Sequence, residues 1–443
     1  MTHNWWQEQQ LGVARRPPPR EREMQVLSSR TGGQWRAPVP PAPPGVGAPA
    51  AASAAVIADV GEDPAAAEAK RALSDVLRCN NLVVLSGLGT SLCVLPHTAG
   101  GLKAPTMADL WNQAEAAQNA PVPTGTAARK SFAEVLQVVG HPVEKKDIEA
   151  LLSRCRLAES FLTGADKSEV ARFIETAEAV ISIATNFVFM DHPLPVHSEF
   201  LRRTARRPNR KARAKIFTTN YDRCFEEAGR QGRYIVVDGF SHTWPPTFDA
   251  VHFTYDTVRR LKENDTQELI PNVFHLYKLH GSIDWQRHAE SGEITKWAPG
   301  KPLLIYPRNS KYELAFEQPY LEMISAFQAA LREPNTGLLV IGFGFNDNHL
   351  AEPIMSAVRS NLSLKVVVVS PGLAPWTANG QAGPGECGMN KYLGKLRDLA
   401  LAGDARITLL NCGFEQMIPL VPDLAAETDL EQHVARLRSI GAA

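Results

Sequence analysis

NLVVLSGLGTSL, residues 81–92, sets an apolar run against two glycines and three hydroxyls. Leu82, Val83, Val84 and Leu85 are consecutive, which fits a strand buried on both faces, as in a parallel sheet. Glycines stand at 87 and 89, at the strand's carboxyl end. With no Cβ in the way, backbone N–H groups there can approach a phosphate closely. Taken alone the motif is a weak signal, because the third glycine of the dinucleotide fingerprint is missing, and by itself a tight strand-to-loop turn explains it better. The next segment is not the helix of a plain dinucleotide unit. CVLPHTAGGLKAP, residues 93–105, carries Pro96, Gly100, Gly101 and Pro105. It reads as a long loop beside the turn, a candidate lid.

Further strands read out from this one: AKIFTTN (214–220), RYIVVDG (233–239), FHLYKLHG (274–281), KPLLIYP (301–307), GLLVIGFG (337–344), LKVVVVS (364–370) and ARITLLN (405–411). Helical segments separate many of them, so the fold class is α/β, a Rossmann-like doubly wound parallel sheet. Between about 106 and 212 the strand signal disappears. Ile148, Leu151, Leu152 and Cys155, then Val170, Phe173, Ile174, Ala177 and Ile181, recur at helical spacing, which predicts an inserted helical subdomain. The catalytic domain is expected over 67–421, with a helical tail over 422–443. Residues 1–66 hold ten of the 32 prolines and few periodic aliphatics, and read as a flexible extension.

The 443 residues carry 47 basic and 47 acidic side chains, which argues against a surface built wholly for nucleic acid or anionic lipid. No apolar stretch is long enough to span a bilayer. The N-terminal residues do not read as a secretory signal, since Arg15 and Arg16 lead into three prolines. A soluble cytoplasmic protein is the expectation. Six cysteines lie at least fourteen positions apart with no CxxC pair, so neither a zinc site nor a disulfide framework is expected. LRRTARRPNRKARAK, residues 201–215, holds eight cations and no acid. It is open to reading as a nucleic-acid strip or, more simply, as a solvated connector.

Polar residues cluster at strand ends, where burial is costly unless they are paired or used. TTNYD (218–222) offers Asn220, a carboxamide that cannot ionise, and LHGS (279–282) offers His280, which can accept a proton near neutral pH. GFGFND (342–347) is a second glycine turn after an apolar strand. Its Asp347 reads either as a helix N-cap or as a ligand group. Asp238, before Gly239, fits a ribose contact or an ordinary Asp-Gly turn. Two glycine turns at strand carboxyl ends suit one dinucleotide bound at a topological switch point.

The order GLGTS, TTNYD, LHGS, GFGFND resembles the sirtuin family, and more closely its bacterial branch of NAD-consuming antiviral defence proteins, over about residues 75–412. The resemblance implies that Gly87, Gly89, Thr90 and Ser91 contact NAD⁺ phosphates and that Asn220 and Asp222 act at the nicotinamide ribose. It makes His280 the base. Thr219, Gly281, Ser282, Gly342, Phe343, Gly344, Asp347 and Ser370 complete the implied nucleotide-binding set. Departures are specific. The stretch after the His-Gly block has no cysteine, so the zinc pairs of protein-deacylating sirtuins are missing. CVLPHTAGG lacks their Pro-Asp-Phe-Arg-like run, and LLIYPRNSKY replaces the segment that clamps an acyl-lysine peptide. NAD⁺ hydrolysis to nicotinamide and ADP-ribose, in antiphage defence, is therefore the expected activity. An NAD-dependent protein deacylase and a non-catalytic NAD- or ADP-ribose-binding subunit are the alternatives. The resemblance further implies a homo-oligomer or control by a HerA-like ATPase partner.

Overall fold

The computed structural model describes residues 24–38, 63–121 except 99, 129–288 except 209 and 262–265, 290–296, 302–304 and 318–423 except 379–380. Eight strands form the main sheet. Their spatial order is Gln25–Ser28, Ile407–Asn411, Lys365–Val369, Thr336–Ile341, Asn81–Ser86, Ala214–Thr218, Val273–Lys278 and Ile235–Val237. Every neighbouring pair is parallel except the first. The chain leaves Asn81–Ser86 toward one edge and later returns to build Thr336–Ile341 on its other side, so the topological switch point lies between these two strands.

Alternate residues of each strand face opposite layers. Val83, Leu85, Phe217, Leu338 and Val340 pack with Phe327, Ile354 and Leu396, which lie on the helices Tyr320–Arg332, Asn348–Ser360 and Lys391–Leu401. Leu82, Val84, Ile216, Leu339 and Ile341 pack with Leu73, Phe200 and Phe225, from Pro64–Leu77, Pro195–Thr204 and Cys224–Gln231. Two apolar faces on each strand explain the continuous hydrophobic runs, and helices on both sides make the sheet doubly wound.

Four helices, Met107–Gln118, Phe132–Val138, Ile148–Ala158 and Gly164–Thr185, close around a third core containing Trp111, Phe132, Leu151, Phe173 and Ile174. The span of about 106–212 thus divides. Its last helix, Pro195–Thr204, buries Phe200 and Leu201 against the sheet rather than against this third core. KPLLIYP contributes Pro302–Leu304 to a separate three-stranded antiparallel sheet with Gly281–Arg287 and Ile294–Lys296.

A correction concerns the N-terminal segment. Gln25–Ser28 is not loose chain but the antiparallel edge strand, paired in register with Ile407–Asn411. Val26 and Leu27 are fully buried, one in each layer. Four residues among prolines are too few to show a period. The rest of the expected extension, outside 24–38 and 63–66, and residues 424–443 of the expected helical tail lie outside the described residues.

At the switch point the two glycine turns touch backbone to backbone. Gly87 N–H donates to Ile341 O at 2.9 Å and Gly89 N–H to Gly342 O at 3.1 Å. A Cβ on Gly89 would stand 2.5 Å from Gly342 Cα, and one on Gly342 would stand 2.4 Å from Gly89 Cα. Gly342 also has φ +62°, a region L-residues avoid. Gly342→Ala is therefore expected to destabilise the fold by about 3 kcal/mol or more, read from urea denaturation. Gly344→Ala is the control, since its new Cβ would meet only the tip of Asn346, at 3.2 Å; it should stay within about 1 kcal/mol of wild type. Equal losses would contradict the close packing.

Candidate active site

Strand register places the polar blocks. Thr218 pairs with Lys278 across the parallel strands, so Asn220 and His280 each lie two residues beyond matched positions. Ser86 pairs with both Thr218 and Ile341, so Gly87 and Gly342 begin their turns at the same level. All four blocks stand on the carboxyl ends of four adjacent strands, the side on which open α/β sheets bind ligands.

The first turn is a short 3-10 segment, Leu88–Thr90, succeeded by loop rather than helix. Its amides are mostly consumed internally: besides the two glycine bonds, Thr90 N–H donates to Gly87 O and Ser91 N–H to Leu88 O. The glycines are thus required first by each other. Thr90 Oγ1 lies 2.7 Å from Ser86 Oγ and 2.9 Å from Gly87 O. Beyond the turn, His192 Nε2 meets Leu95 O at 2.8 Å, which ties the candidate lid to the end of the insertion.

Asn220 is held by this turn. Its Nδ2 donates to Gly87 O at 3.0 Å and Ser91 Oγ at 2.8 Å, with Thr90 Oγ1 at 3.3 Å. Ser91 Oγ in turn donates to Asp222 Oδ2 at 2.6 Å, and Asp222 Oδ1 accepts the Cys224 N–H at 3.0 Å. Because Gly87 O only accepts, the carboxamide orientation is fixed by its partners. Its oxygen Oδ1 is left without a partner among the described residues. Asp222 is buried with both oxygens engaged, which makes it the anchor of the relay. Thr219 N–H donates to Ser86 O at 3.0 Å and joins the two strand ends.

A second constellation pairs His280 Nε2 with Asp347 Oδ2 at 3.1 Å, both side chains nearly buried. Burial alone would raise the Asp347 carboxyl, but the hydrogen bond and charge of His280, with the His349 amide, hold it below its ordinary value. An ionised carboxylate only accepts, so Nε2 carries the hydrogen, and in the neutral ring Nδ1 is the acceptor. Asp347 serves at once as N-cap of Asn348–Ser360, through Oδ1, and as partner of the imidazole. Gly281 turns the chain with φ +81° into the next strand.

Other expected site residues stand apart from these two groups. Ser282 is fully buried and its hydroxyl faces Tyr221 O at 3.4 Å. Phe343 is packed in the core beside Phe345. Gly344 is exposed, with its carbonyl and that of Phe345 held by Asn390 Nδ2. Ser370 donates to Glu386 Oε2 at 3.1 Å. Asp238 accepts the Phe240 N–H and pairs with Lys296, so it forms a turn and an ion pair.

Two contributors escaped the sequence. Lys278 is 1% exposed, donates to Tyr221 O at 3.3 Å and to Asp222 O, and pairs with Glu226 at 3.2 Å. It pins the asparagine loop from below. Glu149, from the helical insertion, accepts from Tyr221 Oη at 3.2 Å. The basic strip, by contrast, is largely committed. Buried Arg207 donates to the carbonyls of Leu77, Cys79, Asn80 and Ala212. Arg213 pairs with Asp256, and Arg202 and Arg203 pair with Glu199. Among the described residues no group of three or more histidine, cysteine or acidic side chains is placed to hold a metal ion, and no helix is long and apolar enough to cross a membrane.

Residues 214–372 match the SIR2-like domain family. The match covers the asparagine, histidine and second glycine blocks and ends just past Ser370. No curated protein matches the chain. Among solved structures it is similar to a mutant Sir2 homologue in complex with ADP-ribose, at 12% identity over 75% of this chain and 95% of that one, with a TM-score of 0.28.

The relay makes a thermodynamic demand. Ser91→Ala and Asp222→Ala should each destabilise the protein by about 1–3 kcal/mol, since a buried partner is left unsatisfied. The double variant should cost less than the sum by about 1 kcal/mol. Additive losses in chemical denaturation would show that the hydroxyl and carboxylate do not act together.

Proposed function

We propose that the chain is an NAD⁺ glycohydrolase that converts NAD⁺ and water to nicotinamide, ADP-ribose and a proton. One observation carries this reading: a fixed Asn220 carboxamide oxygen, without a partner among the described residues, and the His280 imidazole, held through Nε2, stand on adjacent strand ends beside the paired glycine turns. The SIR2-like match over 214–372 supports a nucleotide of the NAD class as ligand.

The bond broken joins the nicotinamide nitrogen to ribose C1′. Its electron pair stays on the nitrogen, so a cationic ring leaves neutral and C1′ acquires oxocarbenium character. Asn220 Oδ1 accepts a hydrogen bond from a ribose hydroxyl or from the attacking water, and thereby fixes the approach. Water oxygen bonds to C1′, and its proton passes to His280 Nδ1. Asp347, held ionised, stabilises the imidazolium that results. Gly87, Gly89, Thr90 and Ser91 shape the diphosphate side. Gly342, Gly344 and Ser370 are assigned to the adenosine half, as the resemblance of the sequence blocks implies. The same resemblance supports a defence role, with activity restrained by self-assembly or by a HerA-like ATPase.

Purified protein incubated with NAD⁺ should release nicotinamide without any acyl-lysine peptide, and no O-acyl-ADP-ribose should form when such a peptide is added. Asn220→Ala and His280→Ala should each lower the rate by about 10²–10⁴-fold with the fold intact. Wild-type turnover in either variant would contradict the assignment, and product formation only with peptide would favour a deacylase. Thermal stabilisation by NAD⁺ without nicotinamide release would mark a binding subunit.

A further inference from the structure

The backbone ladder between Ala214–Thr218 and Val273–Lys278 ends with Leu279 N–H donating to Thr218 O at 2.8 Å. Beyond it the two chains part, one toward Asn220 and the other toward His280. The bonds that still join them converge on two carbonyls. Tyr221 O accepts from Lys278 Nζ at 3.3 Å, from Ile283 N–H at 3.3 Å and from Ser282 Oγ at 3.4 Å. Asp222 O accepts from Lys278 Nζ and has no other partner among the described residues. Lys278 precedes His280 by two residues, and Ser282 and Ile283 follow it. The asparagine loop is therefore held from both flanks of the histidine.

A lysine ammonium has three hydrogens and no acceptor. Buried Lys278 places them on three oxygens: Tyr221 O, Asp222 O and, at 3.2 Å, Glu226 Oε1. Glu226, in the first turn of Cys224–Gln231, supplies the countercharge. Asp222 is thus fixed at its carbonyl by Lys278 and at its carboxylate by Ser91 Oγ and the Cys224 N–H. Ser91 Oγ accepts in turn from Asn220 Nδ2. An unbroken set of hydrogen bonds runs from the lysine to the carboxamide. A buried ion pair is often no more stabilising than apolar side chains of the same volume. Three donors fitted to three acceptors around one loop are what an apolar side chain cannot supply.

We propose that Lys278 is a positioning residue that sets the separation between the Asn220 carboxamide and the His280 imidazole. The inference rests on the hydrolase reading above, in which both side chains act at one ribose carbon. Lys278 touches neither of them. It ends the strand that leads to His280 and grips the loop that carries Asn220, so one side chain governs both sides of the gap. The glycine turns are fixed separately, by the bonds of Gly87 to Ile341 O and Gly89 to Gly342 O. Loss of the lysine therefore leaves the diphosphate side in place and misaligns the reacting end, which costs rate more than binding.

Two variants separate positioning from packing. Lys278→Met leaves Glu226 without its cation and should lower Tm by about 5 °C. Lys278→Met combined with Glu226→Leu replaces the pair by apolar side chains, should recover most of that loss, and serves where the single variant fails to fold. In both, kcat for NAD⁺ should fall by about 10²-fold with KM within about threefold of wild type. A double variant that regains kcat together with Tm would make the lysine a packing residue and overturn the role. A second measurement needs no turnover. In protein labelled at asparagine, the Asn220 side-chain amide signals, assigned by their loss in Asn220→Ala, should exchange with solvent about tenfold faster in the double variant than in wild type. Exchange and chemical shifts unchanged from wild type would likewise overturn the role. Absence of nicotinamide release by the wild type would overturn the hydrolase reading instead, and the Asn220 signals would then decide by themselves whether Lys278 holds the carboxamide.

Discussion

The contact between Gly89 and Gly342 is the constraint on which the site depends. Two strands diverge from a switch point, and their turns can close over it only if neither carries a side chain, since a Cβ on either residue would stand about 2.5 Å from the other's Cα. Once the turns meet, Gly87 O is fixed beside the strand ends and becomes the acceptor that orients Asn220. Ser91 comes next on the same turn and passes the order to Asp222. A backbone packing requirement is thus converted, through three hydrogen bonds, into a carboxamide whose oxygen has one direction to face.

The imidazole is positioned independently. Asp347 caps a helix and holds His280 with its other oxygen, so the second glycine turn supplies the carboxylate that orients the imidazole as well as the wall of the switch point. The asparagine loop is braced twice: by Lys278, the last residue of the neighbouring strand, through the Tyr221 and Asp222 carbonyls, and by Glu149 from the insertion, through the Tyr221 phenol. Tyr221 is where the helical subdomain, the asparagine loop and the strand after His280 come together.

The sequence was legible where one residue type answers to one local cause. Buried parallel strands read as unbroken apolar runs, and turns at their ends read as glycine, so the sheet and the four blocks were visible. The glycines were seen for an incomplete reason: openness to phosphate was inferred, whereas their amides are largely spent and their need is for one another. Asp347 fitted two roles because it performs the cap and a second task at once. Long-range partners left no trace. Ser91 and Asp222 are 131 residues apart, and nothing local marks one as the partner of the other. Glu149 resembles any acid in a first helical turn. Gln25–Ser28 was hidden because its stability comes from pairing with a strand at the other end of the chain.

A structure of the full chain with ADP-ribose bound tests the convergence directly. On the proposed reading the diphosphate lies over the junction of residues 87–91 and 342–346. The distal ribose should point inward, its hydroxyls within about 3 Å of Asn220 Oδ1 directly or through one water, and C1′ should face His280 Nδ1. Nucleotide bound away from this junction, or a distal ribose that meets neither side chain, would contradict the site.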